Sequence, residues 1–124
     1  MNIILWIIQV LLAFAFIYHG WMMISLPPQA RQGGQMAYIE AIPAGFRRFI
    51  AVAESLAAVG LILPLLTGVL PWLTPLAAVG LVIVMVGAVI FHIPRKEYPN
   101  IVFNLVLLAL AAFVAYGRVA IVHY

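Results

Sequence analysis

The sequence contains no cysteine and very few charged side chains. The absence of cysteine excludes disulfide exchange, thiolate nucleophiles, cysteine-ligated iron–sulfur clusters and covalently attached haem. Charged residues make up only 7% of the 124 residues, whereas hydrophobic residues make up 68%. A soluble domain of this size needs far more polar surface to cover its core. The composition therefore predicts a single membrane-embedded domain over residues 1–124.

The apolar residues are concentrated in four long runs that are interrupted by proline, glycine and charge. A helix of about 20 apolar residues spans the hydrocarbon layer. The first run begins directly after Asn2 without a positive leader region, so we expect a retained helix rather than a cleaved signal peptide. The fold class predicted is all-α, an integral membrane antiparallel four-helix bundle. Its helices are expected at about residues 3–24, 43–66, 75–91 and 100–116.

The net charge of +3 is carried by loops and helix ends, so it reports on topology rather than on a nucleic-acid partner. With four crossings, Arg118 lies on the side of the two termini. The other five basic residues lie on the side of the first and third loops: Arg31, Arg47, Arg48, Arg95 and Lys96. The excess of positive charge in these loops predicts that they are cytoplasmic and that both termini are outside.

Polar side chains of the apolar runs gather in the half of the predicted bundle that carries the basic loops. Glu54 is the central one, because an ionised carboxylate below the headgroups costs a few kcal/mol unless it is paired, protonated or hydrated. We expect Glu54 to bond an arginine, His92 or Asn104 from a neighbouring position. The candidate ligand-binding residues are Glu54, His92, Asn104, Arg48, Arg47, His19 and Tyr18.

Two interpretations of this cluster remain open. The first is a structural tie between helices, in which each interhelical hydrogen bond contributes about 0.6 kcal/mol. The second is a pocket in which Glu54 and His92 handle protons or hold a polar headgroup, since proton transfer needs groups that titrate near neutrality. Haem ligation by His19 and His92 lacks a supporting spacing, and three scattered glutamates do not favour a metal site.

Two further segments carry predictions about packing. Residues 29–42 form the only long polar connection, and we expect a plain surface loop there. The alternative is a short amphipathic turn through Met36, Ile39 and Ile42 on the membrane surface, with Tyr38 and Glu40 facing the headgroups or folding over the end of the bundle as a lid. In the third run, small side chains predict a face that a neighbouring helix can approach closely. These are Ala77, Gly80 and Gly87, with Val84 between them.

Several of these segments resemble the DoxX-like family of small four-helix bacterial membrane proteins. The resemblance rests on FIYHGWMMI at the end of the first run and on AGFRRFIAVAESLAAVGLILP in the second. It continues through PWLTPLAAVGLVIVMVGAVIFH and NIVFNLVLLALAAFVAYGR in the third and fourth. The family's arginine, glutamate, histidine and asparagine correspond to Arg48, Glu54, His92 and Asn104. A lysine that follows the first-helix glycine in many members is replaced by an apolar residue near Met23.

The resemblance implies a multi-pass protein of the bacterial inner membrane, with membrane lipid as its surroundings. Relatives are associated with a thiosulfate:quinone oxidoreductase, with oxidative-stress complexes or with membrane assembly. The implied function is binding of a quinone or another lipophilic ligand near the cytoplasmic face in support of a membrane redox partner. A quinone is the only cofactor that this suggests. The alternative is a non-enzymatic assembly or interaction subunit, acting with other membrane proteins or as a homo-oligomer.

Overall fold

A computed structural model describes residues 1–25 and 37–121 of the chain. Four long helices and one short one account for most of these residues. Helix α1 covers Asn2–Ser25, the short helix α2 covers Tyr38–Ala41, and α3 covers Ala44–Thr67. Helix α4 covers Leu73–His92, and α5 covers Tyr98–Tyr116 and continues as a π-helical turn over Gly117–Ile121. The bounds of the long helices differ from those predicted by no more than about two residues, which is the usual uncertainty of helix ends.

The long helices run alternately up and down, so that the fold is an all-α four-helix bundle. Helix α1 packs along α3, α3 along α4, and α4 along α5, whereas α1 and α5 touch over a shorter stretch. We call the end of the bundle that carries α2 and the α4–α5 turn the α2 end, and the opposite end the terminal end. The core between the helices is built from aliphatic, small and aromatic side chains such as Leu12, Phe16, Leu61, Leu81 and Ala111.

The outer faces of the four long helices are apolar. Isoleucine, leucine, valine and phenylalanine side chains point away from the bundle along all of them, as at Phe14, Leu56, Ile83 and Val102. Exposed hydrophobic surface on this scale would be unstable in water but is what a hydrocarbon solvent requires. All four helices are long and apolar enough to cross a membrane. The fold and its surface therefore describe a multi-pass membrane protein.

Close contact between α3 and α4 is centred on Gly60. A Cβ atom at this position would lie 2.9 Å from the Cβ of Ala77, so only glycine allows the two backbones to approach so closely. The predicted small-residue face is thus used in part, because Ala77 makes the contact. Nothing lies within 4 Å of the corresponding Cβ positions at Gly80 and Gly87.

The connection before α3 differs from the surface loop that we expected. Tyr38 and Ile39 of α2 are buried and pack with Met23 of α1. Ile50 of α3 and Phe91 of α4 complete this small cluster, so α2 covers the α2 end of the bundle. Burial of these two side chains in a four-residue helix stabilises a segment that is too short to be helical by itself. Met36, the first residue of the predicted amphipathic turn, lies outside the described residues.

Candidate functional site

A cavity of about 650 Å³ lies between the four long helices at the α2 end. This volume is within the range of about 300–1,000 Å³ that is typical of ligand pockets. Most of the lining is apolar, and the exposed ring of Phe103 forms part of the wall, so the cavity reaches the outer surface of the bundle. The polar side chains of the lining are Tyr18, His19, Tyr38, Glu54, His92, Asn100 and Asn104.

Glu54 is the most deeply placed charged group of the cavity. It lies three turns into α3, and its side chain is 1% exposed. His19 of α1 lies opposite it, with Nδ1 at 2.8 Å from Oε2 and 3.2 Å from Oε1 of the carboxylate. The approach of α1 to α3 depends on Gly20, since a Cβ there would lie 3.1 Å from the carbonyl oxygen of Ala51. The small residue next to His19 therefore allows its ring to reach the buried carboxylate.

The hydrogen-bonded chain continues from His19 to Tyr38. Nε2 of His19 lies 2.7 Å from the Tyr38 hydroxyl oxygen, and the two rings are nearly parallel. Burial raises the pKa of Tyr38, and the negative charges of Glu54 and Glu97 raise it further. Tyr38 therefore remains a protonated hydroxyl that can donate one hydrogen bond. Glu54, His19 and Tyr38 form a continuous chain from the interior of the bundle to its end.

A second histidine–carboxylate pair lies on the other side of Tyr38. The ring of His92 meets the Tyr38 ring edge-on, with 4.9 Å between the centroids, and its Nδ1 lies 2.7 Å from Oε1 of Glu97. Arg95 donates to the same oxygen from Nε at 2.9 Å. Burial acts to raise the pKa of Glu97, but the hydrogen bonds and charges of Arg95 and His92 outweigh it, so the pKa is lowered. Glu97 is thus an anionic group in the turn between α4 and α5.

Asn104 provides a polar group without a partner. Its side chain is 8% exposed, and its amide nitrogen Nδ2 has no hydrogen-bond acceptor among the described residues. Because an unpaired buried donor costs about 1–3 kcal/mol, such groups in native proteins usually have a function or a missing partner. Asn104 lines the cavity, so its N–H groups are available to an acceptor inside it.

The family model that describes the DoxX-like family matches residues 7–114. The chain belongs to the DoxX-like family. The match extends from α1 to α5 and includes every helix that lines the cavity, which confirms the resemblance of the sequence segments. No curated protein and no solved structure matches this DoxX-like chain. Family membership and the four apolar helices together establish an integral, multi-pass membrane protein.

The structure brings five of the seven predicted site residues of this DoxX-like protein into one cavity. Arg47 and Arg48 do not line it: they lie in the first turns of α3, where Arg47 is half-buried and Arg48 is exposed. The direct partner of Glu54 is His19 rather than an arginine, His92 or Asn104. The arginines precede Glu54 by two helical turns, and their long side chains can remain near the headgroups. The five that line the cavity are Tyr18, His19, Glu54, His92 and Asn104.

Three residues of the site were not among the predicted ones: Tyr38, Asn100 and Glu97. Tyr38 belongs to a connection whose packing was not evident from its polar composition, although aromatic and aliphatic residues follow one another there. Glu97 belongs to the charged turn IPRKEYP, which follows directly after α4. A histidine at the end of a helix, followed five residues later by glutamate, is the signal that could have indicated their bond.

A separate polar cluster lies at the terminal end. Arg118, in the π-helical turn, is 1% exposed and donates from Nε to Oε1 of Gln9 at 2.7 Å and from Nη1 to Oδ1 of Asn2 at 2.6 Å. Gln9 donates in turn to the carbonyl oxygen of Leu61. The guanidinium carbon lies 5.5 Å from the centre of the Trp6 ring. This cluster joins α1, α3 and α5 and is far from the cavity.

The histidines and carboxylates form pairs rather than metal sites. Within residues 1–25 and 37–121, no group of three or more histidine, cysteine, aspartate or glutamate side chains is arranged to hold a metal ion. Each histidine of the cavity instead has a single carboxylate partner, Glu54 for His19 and Glu97 for His92. These pairs supply hydrogen-bonding groups beside an apolar wall.

Proposed function

We propose that this DoxX-like membrane protein binds a quinone or another lipophilic ligand in the cavity at the α2 end and thereby supports a membrane redox partner. The observation that carries the proposal is an apolar cavity that combines the Glu54–His19–Tyr38 chain with Nδ2 of Asn104, which has no acceptor among the described residues. Ligand pockets typically combine an apolar wall with a few polar groups that orient the ligand. A ring with oxygen atoms and an apolar tail meets both requirements.

The exposed part of the cavity wall supports access from the membrane. Phe46, Phe49 and Phe103 line the cavity and are more than half exposed on the outer surface of the bundle. These rings lie on helices that cross the hydrocarbon layer, so a ligand dissolved in lipid can reach them without passing through water. The membrane itself is therefore the proposed source of the ligand.

The distribution of charge supports a cytoplasmic position of the α2 end. Arg47, Arg48, Arg95 and Lys96 lie at this end, whereas Arg118 is the basic residue at the terminal end. Lysine and arginine accumulate in cytoplasmic loops of membrane proteins. The proposed orientation has the ligand cavity near the cytoplasmic face of the bacterial inner membrane and both termini outside.

The proposal is tested with decylubiquinone and purified protein in detergent. Calorimetric titration should show saturable binding to the wild type, and Asn104→Leu should weaken binding about tenfold or more, since a donor to a ligand oxygen is lost. Val106→Leu, an exposed change on the same helix, is the matched control and should bind normally. Equal affinity of the wild type and Asn104→Leu would show that the Asn104 amide does not contact the ligand. The absence of binding to the wild type would contradict the proposal.

Glu54→Gln distinguishes a role of Glu54 in ligand binding from a purely structural role in holding α1 against α3. Glutamine keeps an oxygen that accepts from Nδ1 of His19, so the thermal stability of the bundle should change little. If Glu54 serves only to hold α1 against α3, the amount of lipid that co-purifies should also be unchanged. A folded Glu54→Gln protein that loses its co-purifying lipid or its decylubiquinone affinity supports the ligand site.

The second candidate function is that of a non-enzymatic interaction subunit. A groove of about 300 Å³ on the outer face of α1 and α3 favours it, because its lining is apolar and open to a neighbouring helix. Val10, Phe14 and Val59 are among its exposed lining residues. Filling the groove with Val10→Trp should lower the oligomeric mass in native mass spectrometry if the groove holds a second copy. An unchanged mass would disfavour this form of assembly.

A further inference from the structure

Tyr38 and His19 both line the cavity, and the hydroxyl group of Tyr38 has a single proton to donate. The hydroxyl oxygen lies 2.7 Å from Nε2 of His19, and Tyr38 lines the cavity. A hydroxyl group can donate one hydrogen bond and accept two. What Tyr38 offers to a ligand therefore depends on whether its proton is engaged by His19.

In the first state of the site, His19 is neutral. When Glu54 is a carboxylate it only accepts hydrogen bonds, and Nδ1 of His19 then carries the hydrogen that is shared over 2.8 Å. Nε2 is then the unprotonated nitrogen and accepts the hydroxyl proton of Tyr38. In this state the Tyr38 oxygen can only accept hydrogen bonds from the side of the cavity. It therefore fits a ligand whose hydroxyl group donates a hydrogen bond.

In the second state, His19 is a cation. Nδ1 still donates to Glu54, but Nε2 now donates to the oxygen of Tyr38. The proton of the Tyr38 hydroxyl is thereby released from His19 and can point into the cavity. In this state Tyr38 is a donor that fits a ligand carbonyl oxygen. Protonation of one imidazole therefore reverses the direction of the hydrogen bond that Tyr38 makes with a ligand.

We propose that His19, acting through Tyr38, selects the redox form of the ligand: neutral His19 favours the hydroxyl of a quinol, and cationic His19 favours the carbonyl of a quinone. This inference rests on the proposed function and adds the chemistry by which the ligand is recognised. His19 and Glu54 are positioning residues, and Tyr38 is the group that touches the ligand. Histidine is the side chain whose charge changes most readily between about pH 5 and pH 8, so the selection follows pH.

The proton balance of binding follows directly. When a quinone binds to a site with neutral His19, one proton from the solution adds to Nε2, and the Tyr38 hydroxyl turns to the quinone oxygen. When a quinol binds to a site with cationic His19, the proton of Nε2 is returned to the solution. No electron is transferred in either event. Quinone binding at high pH is thus accompanied by proton uptake, and quinol binding at low pH by proton release.

Other charged groups face this chain from the neighbouring elements. Glu54 faces His19 from α3, and His92, with Glu97 and Arg95 behind it, faces Tyr38 from the end of α4. Helix α5 lines this part of the cavity with the neutral residues Asn100, Phe103 and Asn104. His92 meets the ring of Tyr38 edge-on. Because it does not share the hydroxyl proton among the described contacts, it should not reverse the hydrogen bond of Tyr38.

The test measures the affinity of the purified, full-length protein for decylubiquinone and for its reduced quinol under argon. The ratio of the two dissociation constants should change about tenfold or more in favour of the quinol between about pH 5.5 and about pH 8. Tyr38→Phe should bind both forms with a ratio that does not depend on pH. Tyr98→Phe, which changes an exposed tyrosine, is the matched control and should keep the pH dependence of the wild type.

A second measurement detects the proton itself. Titration of decylubiquinone at about pH 8 in two buffers with different ionisation enthalpies should show uptake of about one proton by the wild type and none by Tyr38→Phe. If Tyr38→Phe does not fold, His19→Gln is used instead, since glutamine can hydrogen-bond both neighbours but cannot change charge. His19→Gln should also abolish proton uptake.

The outcomes distinguish this inference from the proposed function on which it rests. If both ligand forms bind and the ratio of their dissociation constants does not depend on pH, the inference is wrong but the proposed ligand site is supported. The same holds if His92→Gln abolishes the pH dependence while Tyr38→Phe preserves it, because His92 would then be the titrating group. If neither form binds, the proposed function fails and the inference with it.

Discussion

The hydroxyl of Thr74 donates a hydrogen bond to the carbonyl oxygen of Gly60 at 2.8 Å. In an unbroken helix this carbonyl would accept from the backbone N–H four residues later, but that residue is Pro64. Proline has no N–H group, and a carbonyl without a donor is costly in hydrocarbon. Thr74, at the start of α4, therefore compensates for the proline inside α3 and ties the two helices together.

Thr74→Val should lower the free energy of unfolding by about 1 kcal/mol or more, because the Gly60 carbonyl loses its donor while the side-chain volume stays similar. The measurement is equilibrium unfolding of the purified protein in mixed detergent micelles. Thr74→Ser retains the hydroxyl and should stay close to the wild type. Equal stability of the valine and wild-type proteins would show that another group satisfies the carbonyl.

Gly60→Ala should lower the stability of the bundle, whereas Gly80→Ala should not. At Gly60 the added methyl group meets the Cβ of Ala77 at 2.9 Å, so α3 and α4 must separate, at a cost of about 1–3 kcal/mol. At Gly80 nothing lies within 4 Å, and alanine should be neutral or slightly stabilising. The stabilities of the two variants are compared by their thermal unfolding midpoints in detergent. A destabilised Gly80→Ala protein would contradict this prediction and would indicate that Gly80 contacts another copy of the chain or a partner.

Gln9 and Arg118 should be energetically coupled. Gln9→Leu leaves a buried guanidinium group without one of its acceptors, and Arg118→Met leaves the Gln9 amide oxygen without its donor. The double substitution removes both polar groups, so it should destabilise the bundle less than the sum of the single changes, by about 1–3 kcal/mol.

A distant pair serves as the control for this double-mutant cycle. Gln9 and Glu54 lie at opposite ends of the bundle. The effects of Gln9→Leu and Glu54→Gln on the free energy of unfolding should therefore add within about 0.5 kcal/mol. Additive effects for Gln9 and Arg118 as well would contradict an energetic role of their hydrogen bond. All variants are compared by equilibrium unfolding in the same detergent mixture.

A reporter fused after Tyr124 should be active in the periplasm. The basic residues of the first and third loops are expected to hold the α2 end in the cytoplasm. The measurement uses paired reporters, one active only in the periplasm and one only in the cytoplasm, on full-length membrane-inserted fusions. A cytoplasmic signal would reverse the proposed orientation and place the cavity near the outer face.

The helices could be predicted closely because their main determinants are local. Apolar runs of sufficient length must be helical in hydrocarbon, where each backbone polar group needs an internal partner. Pro43 and Gly68, which directly flank α3, were visible as boundaries in the sequence. The depth of Glu54, His92 and Asn104 followed from the rise per residue along each helix. Depth alone placed these side chains in the same half of the bundle.

The partners of the polar groups could not be predicted in the same way. Whether His19, His92 or an arginine meets Glu54 depends on the rotation of each helix about its axis, which the packing of α1 on α3 decides. Tyr38 was harder still, because a four-residue helix has almost no intrinsic preference for its conformation. Its position is set by Met23, Ile50 and Phe91, which come from three different helices.

The sequence by itself therefore determined a multi-pass all-α membrane protein with most polar side chains of its helices in one half of the bundle, since composition, helix length and depth are properties of each segment. Only the tertiary structure decided that His19 bonds Glu54, that Tyr38 joins them, and that Nδ2 of Asn104 lines a cavity with no acceptor among the described residues. These relationships depend on how residues far apart in the chain meet across helix interfaces. Close packing of α1 on α3 at Gly20, for example, brings His19 beside Glu54.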